Sequence, residues 1–430
     1  MEKSYRIKSY GVTLITLCFG LFFLNAQSDF KTYQGTVIDG VTEEAIELAS
    51  LNVLETNIST ISNSEGAFTL KVPEAHLNSK LKIAYLGYNS YVIPLSELKN
   101  DKAVIKLYKA VTALSPVSIS AFKDAERLVR KIFEDKHHNV GTPSVFMTAF
   151  YRETIKRRNR NVSLTEAVVN ILKEPNTSQQ RDAIQLSKAR KSTDYKRLDT
   201  VSVKLQGGPF STIYMDIMKY PEYIFTDKSI SGYQFSFDAP SVINNRSVYV
   251  VNFVPKSEKQ PIKYLGKLYV DVESLALVSA HYTLDLSDQK QARNLLVKKK
   301  PRDVIVYPLE ANYRVDYQQK GDQWYYSYSN LNLTFKVNKK RQLFNKVYTL
   351  ASEMAVTDWE VNSEIKRIKN KDRLKPTVII TDAISGFSDP NFWGKYNLIE
   401  PNKSIESAID KIRKNIKKQK KRENKNTANG

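Results

Sequence analysis

Cysteine is almost absent from this sequence, since Cys18 is the only one among 430 residues. It lies inside an N-terminal apolar run, so the rest of the chain has no thiol for a disulfide or a nucleophilic site. Histidine is scarce as well, and none of His76, His137, His138 and His281 has an acidic partner at the spacing of zinc ligands. The sequence therefore excludes disulfides and thiol catalysis, and we expect neither a metal nor another cofactor.

Recognisable catalytic motifs are missing too. The sequence has no G-x-S-x-G elbow and no P-loop. We assign no catalytic residue and favour a protein that is not an enzyme. One alternative stays open, a peptidase- or glycosidase-like hydrolase that works through carboxylates without a motif. Asp271, Glu273 and Asp285 are its first candidates, because two carboxylates that converge in a fold can act as acid and base.

Acidic residues are too few to balance the basic ones, because 45 Asp and Glu stand against 66 Lys and Arg, a formal net charge of +21. In a cytosolic protein this charge would suggest nucleic acid. The N-terminus indicates export instead, with three basic residues before the apolar run 12–24 and a small residue, Ala26, at the cleavage position. We therefore predict a signal peptide over residues 1–26, and an exported protein of the periplasm or the outer membrane.

Two alternatives concern this N-terminal run. An uncleaved anchor is less favoured, because the run is shorter than the roughly 20 residues of a spanning helix. Lipid attachment at Cys18 is not expected, since Leu17 precedes it where a lipoprotein signal needs a small residue. An exported chain this basic is expected to meet anionic lipid headgroups, lipopolysaccharide or acidic cell-wall polymers, and no nucleic acid.

Short alternating strands separated by turn residues fill residues 33–109, which predicts a small β-sandwich. Its motifs are Gly35-x-Val37-x-Asp39, Ala49-x-Leu51-x-Val53, Asn63-x-x-Gly66-x-Phe68-x-Leu70 and Tyr85-x-Gly87-Tyr88. They resemble the carboxypeptidase regulatory-like domain, a prealbumin-like sandwich found in many exported proteins of the Bacteroidetes type. The resemblance implies a non-catalytic accessory module, which we place at residues 31–110.

A second unit is predicted for residues 120–400. An amphipathic helix over 121–137 begins it, and the stretch 266–285 alternates along two arms, which predicts a β-hairpin. Further strand patterns extend to residue 356. The polar, charged stretch 179–204 reads as an exposed loop.

The hairpins, the early helix and the phrase LGKLYVDVESLALVSAHY resemble the curved half-barrel of periplasmic lipoprotein carriers and sorting proteins. In that family the concave side of the sheet holds acyl chains and helices cover the opening. The fold expected from both resemblances is mainly β with some α: a prealbumin-like β-sandwich followed by a large curved antiparallel sheet with covering helices.

Residues 209–225 are the candidate cover of that sheet. Ligand-binding residues are predicted there because flexible thioethers and amphipathic rings suit an adaptable apolar site, and they are Tyr214, Met215, Met218, Tyr223 and Phe225. The alternative is an ordinary helix packed on a sheet. The predicted function is that of a non-enzymatic envelope protein whose sheet binds an apolar or amphipathic molecule or a partner envelope protein. An envelope lipid and an outer-membrane protein are the expected partners.

Residues 401–430 combine a predicted helix with a basic tail. Contacts with an anionic membrane surface are predicted for Lys411, Arg413, Lys414, Lys417, Lys418, Lys420, Lys421 and Arg422. The alternative is a solvated, disordered tail that needs no partner.

Overall fold

The computed structural model of the chain describes residues 30–99, 102–110, 122–136, 143–158, 160–193, 204–225, 227–257, 262–298, 300–340, 344–361, 367–384, 393–402 and 405. The predicted signal peptide, residues 111–120 of the predicted boundary and the basic tail lie outside the described residues. No helix in the described ranges is both long and apolar enough to cross a membrane.

Two small sheets form the N-terminal sandwich. Its strands are β1 (Phe30–Asp39), β2 (Ser50–Val53), β3 (Ser59–Ile61), β4 (Ala67–Pro73), β5 (Lys80–Ala84), β6 (Tyr91–Pro94) and β7 (Ala103–Leu107), with a 3-10 helix at Glu74–His76. One sheet has the order β4-β1-β7 and the other β3-β2-β5-β6. Alternate residues from both sheets, such as Val37, Phe68, Leu51 and Ile83, fill one core. The predicted β-sandwich is confirmed.

The predicted turn before β4 shows why its residues are needed. The Asn63 side-chain oxygen accepts hydrogen bonds from the N–H groups of Glu65 and Ala67, both at 2.9 Å. Gly66 has φ of +71°, and a Cβ there would lie 2.4 Å from the carbonyl oxygen of Val37. Only glycine fits this turn.

A ten-stranded antiparallel sheet forms the second part of the chain. Its strands are β8 (Val145–Arg157), β9 (Arg160–Lys173), β10 (Ala183–Thr193), β11 (Tyr233–Ile243), β12 (Arg246–Pro255), β13 (Tyr264–Asp271), β14 (Leu277–Leu284), β15 (Val304–Lys320), β16 (Gln323–Lys339) and β17 (Lys346–Val361). The order is β10-β9-β8-β17-β16-β15-β14-β13-β12-β11, and the sheet is open between β10 and β11. The predicted hairpin is β13 and β14, with Leu268 opposite Ala280.

Helices are few and short. They are α1 (Ala125–Glu134), α2 (Phe210–Ile213), α3 (Asp227–Ile230), α4 (Gln289–Leu296) and α5 (Ile380–Ala383), with 3-10 turns at Pro221–Tyr223 and Asn370–Asp372. The predicted early helix is α1, which begins later than expected because Asp124 caps it through the N–H groups of Glu126 and Arg127. The prediction of a loop at 179–204 is wrong, because β10 lies within it.

The two faces of the large sheet have different covers. One, here called the roofed face, packs against α1 and against residues 204–230, here called the roof. The other, here called the docked face, contacts the sandwich and residues 393–402, here called the strap. The predicted fold class, a sandwich followed by an open antiparallel sheet with covering helices, is confirmed.

Candidate functional site

The roof contains the predicted ligand-binding residues. Met215, Met218 and Phe225 are 5%, 3% and 2% exposed and lie in the main core. Phe225 packs edge-on against Phe253 of β12, with ring centres 5.0 Å apart. Tyr214 is partly buried, whereas the side chain of Tyr223 lies outside the described residues. The structure thus brings the three most apolar members of the set onto the roofed face, and ligand binding there stays a prediction.

A buried ion cluster, here called the roof anchor, ties the roof to the sheet. The ammonium of Lys173, at the end of β9, lies 3.0 Å from a carboxylate oxygen of Asp182 and 2.8 Å from one of Asp216 in the roof. All three side chains are at most 7% exposed. The hydroxyl of Tyr317 on β15 donates to the other Asp216 oxygen at 2.8 Å. One roof carboxylate therefore joins two distant strands.

Glu153 is a second buried acid on the roofed face. One of its oxygens accepts a hydrogen bond from the Tyr151 hydroxyl at 3.0 Å, and that hydroxyl accepts one from Ser352 at 3.1 Å. The other carboxyl oxygen, Oε1, is buried without a hydrogen-bond partner. Burial raises the pKa of Glu153 to about 7, opposed by the Tyr151 hydrogen bond and assisted by the charge of Asp382.

We expect Glu153→Gln to make stability less dependent on pH. The pKa of Glu153 is about 7 in the folded chain against 4.5 in its ordinary state. The unfolded chain therefore loses this proton first, and ionisation destabilises the fold as pH rises from 4.5 to 7. The cost reaches about 3 kcal/mol above pH 7, at about 1.4 kcal/mol for each pKa unit.

Urea unfolding at pH 5 and pH 8 measures this effect. The glutamine variant should have a higher free energy of unfolding than the unchanged protein at pH 8. The difference between the two proteins should be smaller at pH 5. Glu222→Gln, an exposed change in the roof, is the matched control and should show no such difference. An equal gain at both pH values would contradict a protonated Glu153.

On the docked face, one row of cross-strand partners is polar on every strand. From β11 to β10 the row is Ser236, Asn252, Lys267, His281, Arg314, Asn330, Glu353, Arg152, Glu166 and Arg190. Directly opposite residues have Cβ atoms about 5 Å apart, so neighbours in such a row interact. The sheet is therefore crossed by a continuous polar row beneath the sandwich and the strap.

The deepest part of this polar row is an ion network. Glu166 lies between Arg152, at 2.8 Å, and Arg190, at 2.6 Å, and all three are almost completely buried. Burial would raise the pKa of Glu166, but the two guanidinium groups outweigh it and hold that pKa below its usual value. Arg152 also contacts Glu353 at 3.3 Å and donates to the carbonyl of Ile399 in the strap at 2.7 Å.

The middle of the polar row borders a small cavity of about 70 Å³ between the sheet and the sandwich. Here the Ser279 hydroxyl donates to Asp316 at 2.5 Å, and the His281 imidazole lies 4.0 Å from the same oxygen. Burial, then the Arg314 charge, lowers the pKa of His281 to about 4. A serine hydrolase needs the imidazole between the hydroxyl and the acid, whereas here the acid lies between them. The geometry does not form such a triad.

Of the carboxylates considered for a hydrolase, Asp271 and Glu273 meet on one guanidinium, that of Arg246, at 2.7 and 2.8 Å, whereas Asp285 lies apart from them. Asp271 is buried, accepts two hydrogen bonds from Arg246 at 2.7 Å and shapes the β13–β14 turn through Ser274. Asp285 pairs with Lys263 beyond the opposite end of that hairpin. Eight residues of strand separate the two acids, on the order of 25 Å, whereas glycosidase carboxylates lie about 5–10 Å apart.

The strap joins both parts of the chain. The Asn397 side chain accepts a hydrogen bond from the Lys71 N–H at 2.7 Å and donates one to the Lys71 carbonyl at 3.1 Å. The Thr60 hydroxyl donates to the Leu398 carbonyl at 3.1 Å. Because Ile399 bonds to Arg152 as well, the strap holds the sandwich against the polar row.

Asn397→Ala is therefore expected to loosen the sandwich. It removes two hydrogen bonds and leaves the part-buried Lys71 N–H without its acceptor, at a cost of about 1–3 kcal/mol. Hydrogen exchange of β4 and the strap should accelerate, while exchange in β15 and β16 stays unchanged. Lys395→Ala, an exposed change in the same strap, is the control. Unchanged exchange in β4 would contradict this role of the strap.

Comparison with known proteins identifies the N-terminal part. Residues 33–119 match the family model of the CarboxypepD_reg-like domain, which confirms the first resemblance. No curated protein matches the chain.

Similar solved structures include an outer membrane lipoprotein-sorting protein domain from Vibrio parahaemolyticus, with 11% identity, a TM-score of 0.25 and coverage of 56% of this chain and 94% of that one. Another is a DUF1329 family protein from Desulfovibrio piger, with 9% identity, a TM-score of 0.25 and coverage of 57% and 96%. A lipoprotein-sorting protein domain, the kind of protein that the second part of the chain resembles in sequence, is therefore among the similar structures.

Proposed function

We propose that this chain is an exported, non-enzymatic protein of the cell envelope that binds an amphipathic molecule between the roofed face and the roof. The observation that carries the proposal is how the roof is held. Its regular elements are four, three and four residues long. Its backbone donors bond largely within the roof, as when the Tyr214 N–H reaches the Phe210 carbonyl at 3.1 Å and the Tyr220 N–H reaches Asp216 at 2.8 Å.

A roof held in this way can separate from the sheet without breaking a β-ladder. Apolar side chains and the roof anchor hold it down, and the same apolar surface would meet an acyl chain. Burying a methylene group is worth about 0.8 kcal/mol, so a twelve-carbon chain offers about 10 kcal/mol against the contacts it replaces. Met215 and Met218 favour such exchange because thioether side chains adapt their shape.

A disulfide that locks the roof tests this proposal. The Ser329 hydroxyl on β16 donates to the Thr212 carbonyl of α2 at 3.0 Å, so these two residues are neighbours across the roof and the sheet, and Thr212→Cys with Ser329→Cys is the pair to engineer. No other cysteine follows Cys18. Binding of dodecylamine, measured by calorimetry, should weaken at least tenfold in the oxidised variant and recover on reduction. Equal binding by the oxidised and reduced forms would contradict entry beneath the roof.

We further propose that the basic tail associates the protein with an anionic envelope surface. Nine lysines and arginines lie between residues 411 and 425, against the single acid Glu423. Each basic group near an anionic membrane contributes about 1 kcal/mol. Truncation after Ile416 should abolish sedimentation with anionic vesicles at low salt. Equal sedimentation of both forms, or binding that ignores salt, would contradict this anchoring role.

A further inference from the structure

On the roofed face, three buried oxygen atoms have neither a hydrogen-bond partner nor an ion-pair partner among the described residues. They are Oε1 of Glu153, Oγ1 of Thr165 and Oγ1 of Thr381. The exposed fractions of these residues are 1%, 0% and 8%. An unpaired polar group in an apolar interior costs about 1–3 kcal/mol, and native folds contain few of them. Three such oxygens therefore call for a ligand or a structural reason.

Strand pairing places these oxygens in one region. Thr165 on β9 lies directly opposite Glu153 on β8, and Lys191 on β10 lies opposite Thr165. The Lys191 ammonium donates to the Thr381 carbonyl, which brings α5 over the ends of these strands. The region adjoins the beginning of the roof, where the Gly207 N–H donates to the Val378 carbonyl at 2.8 Å.

The polar groups in this region favour a ligand that donates hydrogen bonds. Glu153 has one oxygen satisfied by Tyr151, so its free oxygen needs a hydrogen-bond donor. Two carboxyl groups, Glu153 and Asp382, face the region, and the cations nearby already have acceptors. Lys204 pairs with Asp382 at 2.7 Å, and Lys191 bonds to the Thr381 carbonyl. An anionic head group would be repelled there, whereas a donor would be bound.

We propose that Glu153, Thr165 and Thr381 form a polar subsite that binds the hydrogen-bond-donating head group, a hydroxyl or an ammonium, of an amphipathic ligand. The inference rests on the proposed function, because the alkyl chain of that ligand would occupy the space between the roof and the sheet. The threonine hydroxyls can donate or accept, and Glu153 accepts. Carboxylate and phosphate head groups are excluded by their charge.

Three amphiphiles of equal chain length test the subsite: dodecanol, dodecylamine and dodecanoate, titrated into the full chain at pH 8. The alcohol and the amine should bind at least tenfold more tightly than the carboxylate. The unchanged protein should bind the amine more tightly at pH 8 than at pH 6, as Glu153 ionises. Glu153→Gln should reduce amine affinity at least tenfold and abolish this dependence on pH. Thr165→Val, which keeps the shape of the side chain and removes its hydroxyl, should weaken the alcohol and the amine but not dodecanoate.

The outcomes separate the subsite from the proposed function. If the unchanged protein binds all three amphiphiles within twofold, or both variants leave their ranking unchanged, the three oxygens hold only buried water and the subsite is wrong. If no amphiphile binds the unchanged protein, the proposed function is wrong as well. A variant that loses folded circular dichroism is set aside, and the other variant then decides.

Discussion

Replacing Glu166 with alanine should lower the free energy of unfolding by about 3–5 kcal/mol, or abolish folding. Glu166 neutralises Arg152 and Arg190, whose side chains are 3% and 7% exposed. Without it Arg190 loses its buried acid, and Arg152 keeps the longer ion pair with Glu353 and its hydrogen bond to the Ile399 carbonyl. Breaking a buried ion pair leaves an uncompensated charge in a medium of low dielectric constant, which accounts for the size of the effect.

Chemical denaturation measures this loss as a lower midpoint with an unchanged slope. Glu97→Ala, at an exposed site on the sandwich, is the control and should stay within about 0.5 kcal/mol. A loss below about 1 kcal/mol for Glu166→Ala would mean that water reaches the network. The ion network of the polar row would then not be a buried interaction that holds the strap to the sheet.

The second large effect is expected at the roof anchor. Asp216→Asn keeps the size of the side chain but removes one of the two carboxylates that pair with Lys173, so that Asp182 remains. It also weakens the hydrogen bond that the Tyr317 hydroxyl donates to residue 216. We expect about 2–4 kcal/mol of destabilisation, because the Lys173 ammonium remains buried. Hydrogen exchange in residues 209–225 should accelerate strongly, while exchange in the central strands stays slow.

Glu222→Gln controls for a change of charge elsewhere in the roof. If Asp216→Asn accelerates exchange uniformly across the sheet, the roof does not open separately and residues 204–230 are ordinary core. If exchange changes nowhere, the anchor does not hold the roof. Only selective acceleration fits a roof that moves to admit a ligand.

Local patterns in the sequence predicted the strands whose partners are close along the chain. Alternation in β13 and β14 was sufficient because a short turn joins them, and the sandwich was predicted from its turns and spacing. The β10 strand was missed because Arg190 and its neighbours make it resemble a loop. Glu166 on β9 pairs with Arg190, and the Thr381 carbonyl of α5 accepts from Lys191, and a single-strand pattern shows neither partner.

The buried acids could have been suspected from the sequence. Arg152 and Glu153 are adjacent in the middle of a long apolar strand, so they point to opposite faces and each face must supply a polar partner. The full set of partners could not be named: Glu166 is only 14 residues from Arg152, on the next strand, but Glu353 is 201 residues away and Ile399 is 247. The roof was predicted from its methionine and aromatic content, whereas its break into short turns depends on Pro209, Pro221 and the surface beneath.

Ligand binding beneath the roof is tested by native mass spectrometry with lipid extraction, applied to the protein purified from the cells that make it. We expect about one bound amphiphile per chain, with a hydroxyl or an amine in its head group, and we expect Asp216→Asn to lose it on washing. Ligand-free protein that also fails to bind dodecanol or dodecylamine would contradict the claim that the roofed face is a binding site.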